Sequence, residues 1–286
     1  MTGIMTVGPQ LPAPTWFVGC GNMGQAIVAG WRQAQIQQMS AVVIRPSGTP
    51  VEGVRTVASY ADAGTQPRLV VLGFKPQKLD EVARELAPWL TSKTVVVSIL
   101  AGVEAAALRQ RFPKVQAIIR AMPNLPVAVR RGVVALYSED ADDQLKQQLG
   151  DLFAALGYSM WMADEARFAA VGAVAGAGPA YVARFIDALA KAGVARGLTR
   201  EIADTVALET VLGTTWMAAA DRESMDAIAR RVASPNGTTE AGLAVLDRDG
   251  MLDQLVALTI EAAARRGAEL AEAARSTSLE GEPQLS

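Results

Sequence analysis

The fold of the N-terminal half is decided by the stretch Trp16-Phe17-Val18-Gly19-Cys20-Gly21-Asn22-Met23-Gly24. Its apolar start predicts a strand, its glycines predict a tight turn, and the apolar residues Ala26–Ala29 that follow predict a helix. In a Gly-x-Gly-x-x-Gly turn the first glycine permits the turn, the second lets the backbone approach a pyrophosphate, and the third lets the helix pack closely on the strand. We therefore predict a dinucleotide site whose residues are Gly19, Gly21, Asn22, Met23 and Gly24.

The second predicted strand, Ala41–Ile44, ends in Arg45, Pro46 and Ser47. An enzyme that uses NAD usually has an acidic residue at this point, roughly 20 residues after the glycine turn, where it binds the ribose hydroxyls. Arginine instead offers a planar fork of donors that suits a 2′-phosphate. The pattern favours NADPH, bound through Arg45 and Ser47, and leaves NADH open; a solvated surface arginine is the alternative interpretation.

Short β-rich runs alternate with helical stretches up to about residue 165, which predicts an α/β fold with a parallel, doubly wound sheet. The further predicted strands are Leu69–Leu72, Thr94–Ile99, Ala117–Ile119 and Val133–Leu136. The loops that follow two of these strands, 73–77 and 120–126, lie where such a sheet binds its ligand.

From about Phe168 onward, alanine-rich helical spacing replaces the β-rich runs. Thr199 is predicted to cap one helix, and Leu252–Ala274 is predicted to form another. We predict a disordered N-terminal tail at 1–15, a dinucleotide-binding domain at 16–165, a helical domain at 166–275 and a flexible C-terminal tail at 276–286. Helices this apolar predict oligomerisation through the helical domain.

Composition narrows the class of protein. The 286 residues carry a net charge of −2, which argues against nucleic acid or an anionic membrane as the main partner. We expect no apolar stretch long enough to span a bilayer, no signal peptide, and a cytoplasmic location, since Cys20 is the only cysteine. The chain has no histidine, which excludes Ser-His-Asp and Cys-His catalysis, and we predict no metal site.

A second informative stretch is Ser234-Pro235-Asn236-Gly237-Thr238-Thr239, which precedes the apolar run Ala241–Leu246. A hydroxyl-rich turn that opens a helix can hold a carboxylate or phosphate on backbone amides and small hydroxyls. Asn236 and Gly237 tolerate the positive φ that such a nest of amides needs. The alternative is an ordinary helix start, with Ser234 as the N-cap and Pro235 in the first turn.

Taken together, these residues resemble the pyrroline-5-carboxylate reductases, which carry out the last step of proline synthesis. The resemblance runs over nearly the whole chain, in order, and its most specific block is 234–239. Its other blocks are Phe17–Gly24, Phe74-Lys75-Pro76-Gln77, Ser98–Val103, Arg120–Pro126, Gly176-Ala177-Gly178-Pro179-Ala180-Tyr181, Gly193–Leu198 and Ala241-Gly242-Leu243.

The resemblance implies a Rossmann domain that binds NAD(P)H and an all-helical domain that forms a homodimer, often assembled into a decamer, with the active site between the domains. It implies NADPH-dependent hydride transfer to the C=N bond of a small-molecule cyclic imino acid, 1-pyrroline-5-carboxylate. The substrate carboxylate is expected on Ser234, Asn236, Gly237, Thr238 and Thr239. Thr239 is the expected catalytic residue, with its hydroxyl near the ring nitrogen. The nicotinamide and its ribose are expected to contact Lys75, Pro76, Ala101, Met122 and Asn124.

Six positions depart from the family pattern: Asn236 replaces a glycine, Ala175 and Ala177 replace serines, Leu125 replaces threonine, Glu209 replaces glutamine, and Tyr60 stands where an asparagine often contacts the cofactor. They leave two alternatives open, a reductase of a different cyclic imino acid and a non-catalytic NADPH-binding regulatory protein. A 3-hydroxyacid dehydrogenase is a third, weaker alternative. That class usually carries a catalytic lysine on the helix after the glycine-rich segment of its second domain. Lys191 is the only lysine in that helix here, and it lies over three turns from Gly176.

Overall fold

The computed structural model describes residues 9–36 and 40–279, and the side chains of those residues up to 272. The chain divides into two compact units. The first comprises the chain up to Ala177 together with the segment from Ala263 onward, and the second is Gly178–Ala262. Each unit is described by itself.

The first unit is built on one eight-stranded sheet in the order β3-β2-β1-β4-β5-β6-β7-β8. Every neighbouring pair is parallel except β6 and β7, which are antiparallel. Helices cover both faces, which is why the residues of the central strands are continuously apolar and buried. The strands are β1 Thr15–Val18, β2 Ala41–Ile44, β3 Arg55–Val57, β4 Leu69–Leu72, β5 Val95–Ser98, β6 Ala117–Pro123, β7 Gly132–Tyr137 and β8 Gly157–Trp161.

Two apolar clusters lie on opposite faces of the sheet. Helices α1 and α4 pack on one face around Trp31 and Phe153, and helices α2 and α3 pack on the other face around Trp16 and Phe112. The indole Nε1 of Trp31 donates to the carbonyl of Leu152 over 2.9 Å, which ties α1 to α4. The helices are α1 Asn22–Gln33, α2 Leu79–Leu86, α3 Ala105–Arg111, α4 Asp143–Ala154 and α5 Glu165–Val171.

All six predicted strands are present, and the predicted α/β, doubly wound class is confirmed. Two strands, β3 and β8, were not predicted; both lie at sheet edges, are only partly buried, and lack an apolar run. The expectation of an entirely parallel sheet is wrong for β6 and β7. The chain between them is short and contains no α-helix, and such a connection joins antiparallel strands.

The second unit is helical. It contains α6 Gly178–Ala195, α7 Arg200–Asp221, α8 Met225–Val232, α9 Thr238–Leu246 and the start of α10 Met251–Leu279, whose end belongs to the first unit. As predicted, the hydroxyl of Thr199 caps α7 by accepting from the amide of Ile202. Small side chains of α6 and α7, Ala190, Ala203 and Ala207, form the buried contact between those two helices.

The boundary between the units lies twelve residues beyond the predicted 165/166 boundary, since α5 packs on the sheet. The Phe168 ring is 3% exposed and lies 6.4 Å from the ring of Tyr137 on β7. At the N-terminus, residues 1–8 of the predicted tail are outside the described residues, but Leu11 is buried and Thr15 belongs to β1. At the C-terminus, α10 continues to Leu279, past the predicted helix end; residues 280–286 are outside the described residues.

One helical stretch bears on the expectation that no apolar segment is long enough to span a bilayer. The helical stretch Glu165–Ala195 is long and apolar enough, by length and composition alone, to cross a bilayer. The stretch is interrupted by a π-helical turn at Gly172–Gly176 and contains Pro179, and its first turns pack on the sheet through Phe168. Much of the apolar surface of α6 and α7 is exposed in the single chain, including Phe185 and Trp216.

Candidate active site

The glycine turn after β1 has the geometry that its sequence predicts. Gly19 has φ +74°, and a Cβ there would lie 2.7 Å from the carbonyl oxygen of Gly73. A Cβ on Gly24 would lie 2.9 Å from Sγ of Cys20, whereas a Cβ on Gly21 would meet nothing within 4 Å. The turn is therefore closed towards the protein at its first and third glycines and open at Gly21, the N-cap of α1. This open backbone at a helix N-terminus fits the pyrophosphate of a dinucleotide.

Two alanine substitutions separate the fold of this turn from its binding role. Gly19→Ala is expected to lower the melting temperature, because alanine at positive φ is strained and its Cβ would press on the Gly73 backbone. Gly21→Ala is expected to keep the melting temperature within about 2 °C and to raise the Kd of NADPH at least about tenfold, since its methyl occupies the open side. Thermal unfolding and titration of NADPH fluorescence measure the two effects. Unchanged NADPH affinity in Gly21→Ala would mean that the pyrophosphate does not approach here.

Arg45 and Ser47 lie next to the glycine turn. The amide of Gly19 donates to the carbonyl of Ile44 over 2.8 Å, so the end of β2 is held beside the turn. Arg45 is half-buried, and its Nη1 donates to the carbonyl of Thr49 over 3.4 Å. The Ser47 hydroxyl accepts from the Thr49 hydroxyl over 3.0 Å. The structure thus brings the predicted 2′-phosphate residues and the predicted pyrophosphate turn to one edge of the sheet.

Cys20 is a small buried side chain that packs within the glycine turn. Its side chain is buried, and this burial raises the pKa of the thiol to about 11. The thiol is therefore protonated near neutral pH and is a poor nucleophile. Tyr60, at a position where the family often has asparagine, packs its ring 6.2 Å from that of Trp16. Burial raises the pKa of the Tyr60 phenol above its usual range.

The segments that follow β4 and β5 bring Lys75, Pro76 and Ala101 to the same edge of the sheet as the glycine turn. The amide of Gly73 donates to the carbonyl of Val18 over 2.9 Å, and a Cβ on Gly19 would touch that same loop. Lys75 and Ala101 are exposed there, and Pro76 is half-buried. These positions agree with the predicted cofactor face, although their contacts to a nicotinamide remain predictions.

Asn124 differs from the other predicted cofactor residues. Its side chain is 7% exposed. Its Oδ1 accepts from the amide of Val133 over 2.8 Å, and its Nδ2 donates to the carbonyl of Ala175 over 3.0 Å. The side-chain amide is thus bonded to backbone at both ends, and its expected contact with the cofactor stays a prediction. Met122, two residues earlier, is half-buried. Nothing in the local sequence indicates this orientation of Asn124, because Ala175 lies 51 residues away along the chain.

In the second unit, the stretch 234–239 forms a turn that opens α9. The alternative with Ser234 as N-cap and Pro235 in the first turn is wrong, because α9 begins at Thr238 with Gly237 as its N-cap. Asn236 has φ +55° as predicted, but Gly237 has φ −86°. Glycine is required at 237 for another reason: a Cβ there would overlap the Ser234 hydroxyl. The amide of Gly237 donates to the carbonyl of Ser234 over 2.9 Å, which closes the turn.

Glu240 also belongs to this turn, and its role was not predicted from the sequence. Its carboxylate accepts from the amide of Asn236 over 2.6 Å, and so holds that residue in its left-handed conformation. Glutamate at the third position of a helix is one half of a capping box, in which it would bond the N-cap amide; here it bonds the amide of Asn236, one residue before the N-cap Gly237. Thr238 is exposed and Thr239 is half-buried at the first two positions of α9. Their amides belong to the helix turn that has no intrahelical acceptors, which suits an anion.

The two arginines of α8 and the lysine of α6 are held in ion pairs. Arg231 contacts Glu223 over 3.0 Å and Asp221 over 3.4 Å, and Arg230 pairs with Asp226 on the same helix. Lys191 pairs with Asp187 over 2.7 Å, so it forms a surface ion pair of α6. Within residues 9–36 and 40–279, no group of three or more cysteine, aspartate or glutamate side chains is arranged to hold a metal ion.

Comparison with known proteins agrees with both halves of this description. Residues 165–270 match the family model for pyrroline-5-carboxylate reductase dimerisation. Residues 16–102 match the model of an NADP oxidoreductase, coenzyme F420-dependent.

Relatives match along almost the full chain. The pyrroline-5-carboxylate reductase of Pseudomonas aeruginosa is 37% identical over 266 residues, which cover 90% of this chain and 96% of that protein. The reductase of Synechocystis is 36% identical, with 89% and 97% covered.

Solved structures agree with the sequence relatives. The pyrroline-5-carboxylate reductase of Coxiella burnetii has a TM-score of 0.83 at 31% identity, with 91% of this chain and 99% of that chain covered. The Plasmodium falciparum pyrroline carboxylate reductase, solved with NADP bound, has a TM-score of 0.81 at 26% identity, with 91% and 98% covered. The overall fold is thus shared with these enzymes, and the chain belongs to the pyrroline-5-carboxylate reductase family.

Proposed function

We propose that this protein is an NADPH-dependent pyrroline-5-carboxylate reductase, which reduces the C=N bond of 1-pyrroline-5-carboxylate to give L-proline. The observation that carries the proposal is the closed turn at Ser234–Thr239, in which the exposed Ser234 precedes the first amides of α9, and these amides have no intrahelical acceptors. A small anion with an adjacent ring nitrogen suits that set of donors. The resemblance over nearly the whole chain supports the same reaction.

The cofactor in this proposal is NADPH. Gly19, Gly21, Asn22, Met23 and Gly24 would hold the pyrophosphate, and Arg45 with Ser47 would hold the 2′-phosphate. Lys75, Pro76, Ala101 and Met122 would contact the nicotinamide and its ribose. When bound, the dihydronicotinamide supplies the hydride.

The chain's own residues have few tasks in this reaction. The Ser234 hydroxyl and the amides of Thr238 and Thr239 would orient the substrate through its carboxylate. The Thr239 hydroxyl would hydrogen bond at the ring nitrogen, where the imine must gain a proton as it becomes an amine. An imine is basic enough to take that proton from a hydroxyl or water. Positioning and charge complementarity therefore account for catalysis in a chain without histidine.

The chain carries a dimerisation domain of this family, and we propose a homodimer through the helical residues 166–275. The exposed apolar side chains of α6 and α7, among them Val182, Phe185 and Trp216, support this surface. The exposed apolar side chains within the stretch Glu165–Ala195 would then be covered by a second copy rather than by lipid. Further assembly into a decamer, and a cytoplasmic location, belong to the same proposal.

The departures from the family pattern favour no other function. Asn236 adopts the φ that glycine would adopt, with Glu240 bonded to its amide. Glu209 is exposed in the single chain, so its carboxylate is solvated and carries no desolvation cost there. Leu125 is exposed as well. A reductase of a larger cyclic imino acid remains the alternative activity, and an NADPH-binding regulatory protein without turnover remains the alternative outside enzymology.

The test is the rate of NADPH oxidation by the purified protein with 1-pyrroline-5-carboxylate, beside the six-membered cyclic imino acid and a control without substrate. We expect fast turnover of the five-membered ring, and faster turnover with NADPH than with NADH at equal low concentration. Turnover of the larger ring alone would move the assignment to that substrate. NADPH binding without oxidation by either imine would favour the regulatory protein.

A further inference from the structure

The end of β6 and the helical segment that leads out of the sheet unit are joined at three successive points. Residues 120, 122 and 124 alternate along β6 and its end, and each contacts the segment 165–176. All of these residues belong to the first unit. Met122, in the middle of the row, is a residue proposed above to contact the nicotinamide.

The first point is a partly buried ion pair. Nη1 of Arg120 donates to Oε1 of Glu165 over 2.9 Å, and Arg120 is 9% exposed. The same Glu165 oxygen accepts from the amide of Ala105 over 2.9 Å, at the start of α3. The Arg120 guanidinium also lies over the ring of Phe168, 4.4 Å from its centre. A planar cation held by a carboxylate and an aromatic face fixes α5 against the end of β6.

The second point is a close contact without a hydrogen bond. A Cβ on Gly172 would overlap Sδ of Met122, so the glycine is the surface on which the methionine side chain rests. Gly172 is the first residue of the π-helical turn Gly172–Gly176. Turns of this kind often occur at functional sites.

The third point is the hydrogen bond from Nδ2 of Asn124 to the carbonyl of Ala175. An α-helix would supply that carbonyl with the amide of residue 179, but Pro179 has no N–H. Asn124 supplies a donor there instead. Its Oδ1 simultaneously accepts from the amide of Val133 on β7, so one buried side chain links β7, the loop and the π-helical turn. A buried amide with both ends bonded to backbone is well suited to fix a loop.

We propose that Asn124 is a positioning residue for hydride transfer: by bonding the Val133 amide and the Ala175 carbonyl, it sets the end of β6, which carries Met122, against the π-helical turn. This inference rests on the proposed function, because it concerns the nicotinamide end of the cofactor. It differs from the role expected from family resemblance, in which Asn124 itself contacts the cofactor. Asn124 acts on the reaction only through the residues that it holds in place.

The test is the variant Asn124→Asp, which keeps an acceptor for Val133 but presents an anion to the Ala175 carbonyl. We expect the Kd of NADPH to stay within about threefold, while kcat falls ~10–100-fold because the reacting groups are displaced. With NADPH deuterated at the transferred position, the isotope effect on kcat should rise, since hydride transfer becomes more strongly rate-limiting. The matched control is Gln116→Glu, the same change of amide to carboxylate at an exposed residue just before β6, which should leave all three quantities unchanged.

Two results would overturn the inference. A Kd of NADPH raised more than about tenfold, with kcat retained at saturating NADPH, would make Asn124 a cofactor ligand. Unchanged Kd, kcat and isotope effect would show that the link is not needed.

A second variant and a second measurement cover the remaining cases. If Asn124→Asp does not fold, Gly172→Ala should give the same fall in kcat at nearly unchanged Kd of NADPH. Its control is Gly267→Ala, because a Cβ there would meet nothing within 4 Å.

If the unaltered protein reduces neither imine, the proposed function fails, and amide hydrogen exchange then tests whether Asn124 links the end of β6 to the π-helical turn. Faster exchange at 172–177 in Asn124→Asp would support it, and unchanged exchange would overturn it.

Discussion

Replacing Thr239 with alanine is expected to lower kcat/KM for 1-pyrroline-5-carboxylate by about 100-fold or more, with the Kd of NADPH within about threefold of its original value. Thr239 is half-buried at the second position of α9, directly beside the closed turn. The alanine variant keeps the helix and the amide of residue 239 but removes the hydroxyl proposed to bond the ring nitrogen. Steady-state kinetics with both substrates varied, together with fluorescence titration of NADPH, measure the two quantities.

The conservative variant Thr239→Ser is the control, because it keeps the hydroxyl and loses only a methyl group. We expect it to recover most of the activity lost in Thr239→Ala. Near-normal turnover of the alanine variant would remove the hydroxyl from the mechanism and leave proton delivery to water. Equal losses in both variants would indicate that the methyl group, and therefore packing, is what matters at this position.

Replacing Gly237 with alanine is expected to raise KM for the imino acid by about 100-fold or more, since two or more charge-assisted hydrogen bonds to a carboxylate would be lost. The added Cβ would overlap the Ser234 hydroxyl and would lie 2.9 Å from the Ser234 carbonyl oxygen, so the turn must open. The hydrogen bonds described for this turn join residues of the turn and of α9, so NADPH affinity should be unchanged. Kinetics at saturating NADPH and a separate NADPH titration measure both.

Gly242→Ala is the matched control for this variant. Gly242 lies on the same helix, and a Cβ there would meet nothing within 4 Å. Alanine should stabilise α9 by up to ~1 kcal/mol and leave KM unchanged. Retention of a normal KM in Gly237→Ala would mean that the substrate carboxylate is held elsewhere.

Local sequence was sufficient for features that depend on neighbouring residues. The central strands were found because residues buried on both faces form continuous apolar runs, as in Ala41–Ile44 and Leu69–Leu72. The positive φ of Gly19 and Asn236 followed from the residue types that tolerate it. The helix cap at Thr199 followed from its hydroxyl at the start of a periodic stretch.

Features that depend on distant residues were not accessible in this way. The buried orientation of Asn124 depends on Ala175, and the packing of α5 on the sheet depends on Arg120 and Tyr137. Neither partner can be recognised from the spacing of residues along the chain. Edge strands β3 and β8 were missed because half of their surroundings is solvent, which leaves no apolar period to detect.

The apolar side chains that α6 and α7 leave exposed have a consequence for how this protein responds to dilution. Val206, Leu212 and Trp216 are all more than half exposed in the single chain. A surface of this kind that is covered by a second copy links folding to association, so the midpoint of unfolding shifts with the total amount of protein by mass action. Comparisons of stability between variants of this chain therefore have meaning only at matched subunit concentration.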